Sequence, residues 1–225
     1  PVGQWALPNA VSSTGLSLGA AAAAPIFSIV ILNYGWRASF IVFVPVGLLF
    51  FSIWWWYARD NPREHPAMSE AELKEIEANR SGLTQDAGYG AWRQLLGHRE
   101  TLLLASAYFT HNFVFYSFAT WFFHYLVNVL GFDIIESGML AAAPWVLGAV
   151  AATVGGWVCD TLCHRFGPKL GCRIPAMSGL IGTGIFLDLG LYASSPYVAV
   201  ALLSLCYACT QFAEGSFWSA QIHLA

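Results

Sequence analysis

Four ionisable side chains stand inside long apolar runs: His111, Glu214, Asp188 and His124. A charge at membrane depth is costly, so each is a candidate for function before anything else is known of the chain. His111 lies about ten residues into its run, roughly 15 Å along a helix. It shares a helical face with Phe115, Phe118, Phe122 and Tyr125, and Asn112 and Tyr116 are nearby. A polar, aromatic stripe of this kind suits a cavity lined for a ligand; a histidine hydrogen-bonded between helices is the plainer alternative. Glu214 sits in Gln211-Phe212-Ala213-Glu214-Gly215, well inside the last run, where a carboxyl could take up and release a proton. Asp188 falls in the outer part of its run and reads as structural, and His124 lies near an interface where water satisfies it. The five cysteines are Cys159, Cys163, Cys172, Cys206 and Cys209. Cys206 and Cys209 form C-x-x-C, but on an apolar helix, so small packing residues are the reading rather than a redox or metal pair. The chain has no H-E-x-x-H, no paired acids at ligand spacing and no nucleophile with a visible base. No catalytic residue and no metal site is assigned, and a membrane-embedded enzyme using His111 and Glu214 is the weaker reading.

The elements that must carry these residues are membrane helices. Hydrophobic residues make up 57% and charged residues 10% of the chain, against roughly 45–50% and 25% in soluble domains. That much apolar surface exceeds what one soluble core can hide. Charge is concentrated in residues 59–100, which hold six of the ten Lys and Arg and eight of the thirteen acids. Apolar segments on either side, at about 8–34, 38–58, 101–125, 134–158, 174–192 and 197 to the end, each approach the roughly 20 residues that cross a bilayer. The predicted fold class is therefore an all-α membrane protein with six transmembrane helices. Residues 1–58 form the end of one bundle, 59–100 a polar connection and 101–225 the start of a second bundle. The net charge of −3 gives no hint of nucleic acid.

Local patterns refine this outline. Gly15 and Gly19, four apart and beside Ser12, predict a close helix contact. Asn33-Tyr34-Gly35 is a turn, Trp36-Arg37 an interfacial pair, and Trp54-Trp55-Trp56-Tyr57 an aromatic belt that ends in Arg59. Ser69-Glu70-Ala71-Glu72 has capping-box spacing and predicts a short helix through Asn79. Ser81 to Gly90 reads as loop, and Trp92, Leu95 and Leu96 with Arg93 and Arg99 predict a helix lying along the membrane face. Residues 59–100 and 159–173 fall on one side of the membrane and carry nine of the ten Lys and Arg, which places that side in the cytoplasm. Pro1 is preceded by no Met and followed by no leader pattern, and the last span has no flank, so the chain reads as a piece of a longer protein.

Several motifs together give the chain a family likeness. They are Gly15-x-x-x-Gly19 with Pro25, Gly35-Trp36-Arg37-x-x-Phe40, His65-Pro66-x-x-Ser69-x-x-Glu72-Leu73 and Asn112-x-x-x-Tyr116 leading to Thr120-Trp121 and Tyr125-Leu126. Gly155-Gly156-x-x-x-Asp160, Arg173-x-Pro175 and Glu214-Gly215-x-Phe217-Trp218 complete the set. In order and spacing over nearly the whole chain they resemble the major facilitator superfamily, in its anion:cation symporter branch of sugar-acid permeases and sialin relatives. The resemblance implies helices five to ten of a twelve-helix, monomeric transporter in the plasma (inner) membrane, with the long connection cytoplasmic. It implies alternating access to a small organic anion, coupled to H⁺ (Na⁺ the alternative) and needing no other cofactor. His111, Asn112, Tyr116, Gln211 and Trp218 would bind substrate and Glu214 would carry the coupling proton. Asp160 and Arg165 would form a conformational latch, although Thr161-Leu162-Cys163-His164 departs from the usual basic pattern there. The anion-binding Arg of such carriers is expected in the first four helices. An efflux carrier or a non-transporting sensor on the same fold is the alternative.

Overall fold

The computed structural model describes residues 6–59, 61, 63, 68–74 and 97–224, with side chains through Gln221. Six long helices follow one another: α1 Ala6–Tyr34, α2 Trp36–Tyr57, α3 Arg99–Asn128, α4 Ile134–Phe166, α5 Pro168–Leu191 and α6 Pro196–Leu224. Each coincides with one expected span, and the described residues contain no strand. The largest difference is at the α4–α5 junction, where both helices run further than expected. Nothing breaks α4 before Gly167, whose φ of 81° suits glycine. His164 and Arg165 occupy its last turn, where cations are favourable. Pro168 then opens α5, a position at which its missing N–H costs nothing. Asp133 caps the other end of α4 by accepting from the Glu136 amide at 2.8 Å.

Five of these helices are long and apolar enough to cross a membrane, and the protein is an integral, multi-pass membrane protein. α3 is long enough at 30 residues but less apolar. It is interrupted by Thr110, His111, Asn112, Ser117 and Thr120, the polar content that makes it a candidate for the site.

Two compact units divide the chain. One is formed by Val30–Gly97. In it α2 presents an apolar surface, with Phe40, Ile41, Phe50, Phe51 and Trp54 to Trp56 all exposed. The Arg37 guanidinium lies 4.5 Å over the Trp36 ring. The capping box forms as predicted: the Glu72 carboxylate accepts from the Ser69 amide at 3.1 Å, and the Ser69 hydroxyl accepts from the Glu72 amide at 3.2 Å. Glu70 to Lys74 are helical. The expected continuation to Asn79, the loop at 81–90 and most of the surface helix near Trp92 lie outside the described residues.

The other unit joins Gly3–Ile29 with His98–Ala225. Its centre is α6, which packs most extensively against α4 and α5 and more lightly against α3. Val200, Tyr207, Ala213 and Phe217 of α6 are buried, and Val200 joins Phe122, Leu126 and Ala141 in one apolar cluster. α4 reaches its neighbours through glycine: a Cβ on Gly155 would run into the Phe212 backbone of α6, and one on Gly156 would lie 2.5 Å from the Ala10 side chain of α1. The face of α1 that meets this unit is a seam of small residues, Ala6, Ala10, Ser17, Ala21 and Ser28. It repeats at alternating steps of four and seven, as one face of a helix must. Among the described residues no helix meets Gly15 or Gly19: a Cβ at either position would find nothing within 4 Å. Both glycines stand two residues from Ser17, roughly 200° around the helix from the packed seam.

Candidate functional site

α3 and α6 bring His111 and Glu214 into direct contact, with His111 Nε2 and Glu214 Oε2 2.6 Å apart. The imidazole is almost fully buried and the carboxylate side chain is 14% exposed, so the pair is shielded but not sealed. The second carboxylate oxygen, Oε1, accepts from the Trp218 indole N–H at 2.8 Å and from the Tyr108 hydroxyl at 3.3 Å. One carboxylate thus gathers three donors from two helices. Helix periodicity explains how each side supplies two groups: Tyr108 and His111 are i and i+3 on α3, and Glu214 and Trp218 are i and i+4 on α6. Stacking holds the rings in place. Tyr108 lies nearly parallel to His111 at a centroid separation of 5.7 Å, and Phe217 leans on both at 5.5 and 5.1 Å. His111 Nδ1 is buried with no hydrogen-bond partner among the described residues. A proton on Nε2 serves the carboxylate and leaves Nδ1 as an open acceptor, so the pair has more than one place to receive a proton.

The other predicted residues are placed differently. Gln211 is buried one turn before Glu214, but its amide N–H faces the Ser17 hydroxyl of α1 at 3.5 Å and its carbonyl oxygen finds no partner among the described residues. Asn112 is half-buried and donates to the Tyr108 carbonyl at 2.9 Å, one turn back along its own helix. Tyr116 is exposed and packs edge-on against Phe115. A second aromatic group, Phe115, Phe118, Trp145 and Tyr207, lies between α3, α4 and α6. Gly148 makes room for the Tyr207 ring.

Asp160, at the far end of α4, is buried and accepts from the backbone amides of Ala6 at 3.2 Å and Leu7 at 3.0 Å. A buried carboxylate that accepts from two backbone N–H groups makes charge-assisted contacts, the stronger kind of hydrogen bond. Arg165, one turn and a half further on, is exposed and makes no ion pair with Asp160.

The whole of the chain, residues 1–225, matches the family description Major Facilitator Superfamily. The chain belongs to the major facilitator superfamily. It is 31% identical over 94% of its length to an ascorbate transporter, chloroplastic, of Arabidopsis thaliana, covering 38% of that protein. It shows the same identity over the same share to a sodium-dependent phosphate transport protein, chloroplastic, of the same plant, covering 40% of it. It is 27% identical over its full length to a probable sulfoacetate transporter of Cupriavidus necator, covering 52% of it. The chain therefore spans about two fifths to one half of the curated relatives it matches. These relatives are named for anions, in keeping with the anion-transporting branch to which the motifs pointed. Within the superfamily chain, sequence reasoning located His111, Glu214 and Trp218 but missed Tyr108. The available signal was its spacing, three residues before His111 on the same helical face.

Proposed function

We propose that this chain is part of a secondary active transporter that takes up a small organic anion, a sugar acid or other carboxylate, with a coupled proton. The observation that carries the reading is the 2.6 Å contact between His111 and Glu214, with Tyr108 and Trp218 donating to the same carboxylate. Glu214 occupies the donors that an anionic substrate would need. When a proton neutralises it, the His111, Tyr108 and Trp218 donors lose their ionic acceptor and become available to a substrate carboxylate. When the substrate leaves and the proton is released, the carboxylate retakes them. Proton and substrate thereby bias one equilibrium between two conformations, which is what coupling requires. Gln211, Asn112 and Tyr116 complete the recognition of substrate hydroxyls in this reading.

Two bundles, 1–58 and 101–225, rock about that site as a monomer in the plasma membrane, with 59–100 cytoplasmic. Asp160 ties the start of α1 to the end of α4 and serves as the latch; Arg165 acts with it only in another conformation. The test is uptake of labelled sugar acids, dicarboxylates, ascorbate, sulfoacetate and phosphate into proteoliposomes holding the full-length protein. Inward pH and Na⁺ gradients are imposed separately, beside Glu214→Gln. Accumulation of one organic anion under the pH gradient, lost in Glu214→Gln while gradient-independent uptake remains, is expected. A response to Na⁺ alone would replace the coupling ion. Gradient-driven uptake that survives the substitution would take Glu214 out of the mechanism. Uptake of no organic anion by a folded protein would leave the efflux or sensor reading in its place.

A further inference from the structure

Three thiols meet where α4 turns into α5. Cys159 and Cys163 are one turn apart on α4, and Cys172 faces them from α5. The Cys172 sulfur lies 3.9 Å from that of Cys159 and 3.6 Å from that of Cys163, and all three sulfurs fall within 4.8 Å of one another. All are thiols rather than disulfides. The approach is built in by Gly171: a Cβ there would lie 2.6 Å from the Cys163 sulfur and closer still to the Cys163 backbone. Cys159 and Cys172 are buried, while Cys163 is only partly so and gives the cluster an opening.

A metal ion about 2.3 Å from each of three coplanar sulfurs sets them about 4.0 Å apart, and about 3.8 Å apart in a tetrahedron. The 3.9 Å separation stands at these values, the 3.6 Å one is a few tenths of an ångström shorter, and the third lies within 4.8 Å. No histidine or carboxylate among the described residues stands ready as a fourth ligand. Asp160, next to Cys159, is taken up by the Ala6 and Leu7 amides, and Cys172 also donates to the Ser219 hydroxyl at 3.4 Å. Zn²⁺ in a structural site takes four ligands, whereas an all-sulfur set of three suits a soft ion.

We infer that Cys159, Cys163 and Cys172 form a binding site for a soft, thiophilic metal ion, Cu(I), which staples α4 to α5. Binding involves no change of oxidation state. Each sulfur that becomes a ligand exchanges its proton for a bond to the ion, and the proton passes to solvent. The inference is independent of the transport reading, since neither His111 nor Glu214 takes part.

The experiment uses the full-length protein in detergent, reduced and anaerobic, titrated with Cu(I) held by a colorimetric Cu(I) chelator. One ion per chain is expected to leave the chelator. X-ray absorption is expected to show three sulfurs at about 2.3 Å, and the unfolding temperature should rise, because the ion binds the preformed three-sulfur cluster more tightly than the separated thiols of the unfolded chain. Cys172→Ser and Cys163→Ala are expected to lose all three effects, while the Cys206→Ser/Cys209→Ser double variant keeps them. Cys163→Ala, at the partly open edge, guards against a folding failure at Cys172, and unfolding without copper checks both. A reduced, folded wild type that leaves the copper on the chelator overturns the proposal. So does a two-sulfur shell, binding that survives both triad substitutions, or binding lost only with Cys206 and Cys209.

Discussion

Glu214 holds three donors, and they are not equivalent. Removing the His111 imidazole leaves a largely buried carboxylate without the one ion-pair partner it has among the described residues, which costs about 3–5 kcal/mol. Deleting both members is expected to cost less than the sum of the single losses, because no stranded charge remains. A cycle of His111→Ala, Glu214→Ala and the double variant, measured by chemical unfolding, checks this. Additive losses would mean that the 2.6 Å contact carries no coupling. Trp218 is 38% exposed, so Trp218→Phe should lose only the lower end of a charge-assisted hydrogen bond. That is about 1.5 kcal/mol, or roughly tenfold in apparent substrate affinity. The ionisable residues of this site were legible in the sequence because charge inside an apolar run is rare. Their partners were not. Tyr108 and Glu214 are 106 positions apart, and no local pattern records which face of α3 turns towards α6. Gln211 shows the same limit: it lies one turn from Glu214 in sequence, yet its amide faces Ser17.

Among the helices, small residues set the distances. Gly155 lies against the Phe212 backbone and Gly156 against Ala10, so a valine at either position must push α4 away from α6 or α1. A loss of about 1–3 kcal/mol is expected, read as a lower unfolding temperature. A wild-type unfolding temperature in Gly155→Val would show that this contact does not form. Asp160→Ala removes the acceptor of the Ala6 and Leu7 amides and should cost about 1–3 kcal/mol as lost charge-assisted hydrogen bonds. Hydrogen exchange at Ala6 and Leu7 should quicken while α3 is unaffected; an unchanged rate would remove Asp160 as their partner. At the polar connection, hydrogen bonds from the Ser69 amide and then from its hydroxyl hold the Glu72 carboxyl below the usual carboxylate range. Its cap is therefore fully formed above the ordinary glutamate pKa of about 4.3 and is lost as pH falls through the lowered folded value. Exchange at the Glu72 amide should accelerate on acidification in that window, and Glu72→Gln should flatten the profile. A profile unchanged by the substitution would rule out the cap as its cause. The capping box could be read from four residues because it is local. The α1 seam could not: Gly15 and Gly19 carry the more familiar spacing, but Ala6, Ala10, Ser17, Ala21 and Ser28 do the packing.

For the molecule as a whole, the transport reading makes one clear demand: a proton gradient must concentrate an organic anion inside vesicles, and Glu214→Gln must uncouple the two. Class and family were fixed by features that sum along the chain. Apolar runs of membrane length, the crowding of charge into residues 59–100 and the order of the motifs do not depend on how the helices meet. Such sums survive without coordinates because a bilayer imposes the same length and polarity on every span. Tertiary structure alone decided the contacts between distant segments. It put Tyr108 and Trp218 on one carboxylate oxygen, set Asp160 at the start of α1, turned Gly15 and Gly19 away from the packed face and closed three scattered cysteines into one cluster. Each of these depends on the rotation of one helix about its axis against another. Side-chain packing sets that angle, and the hydropathy of the sequence leaves it open.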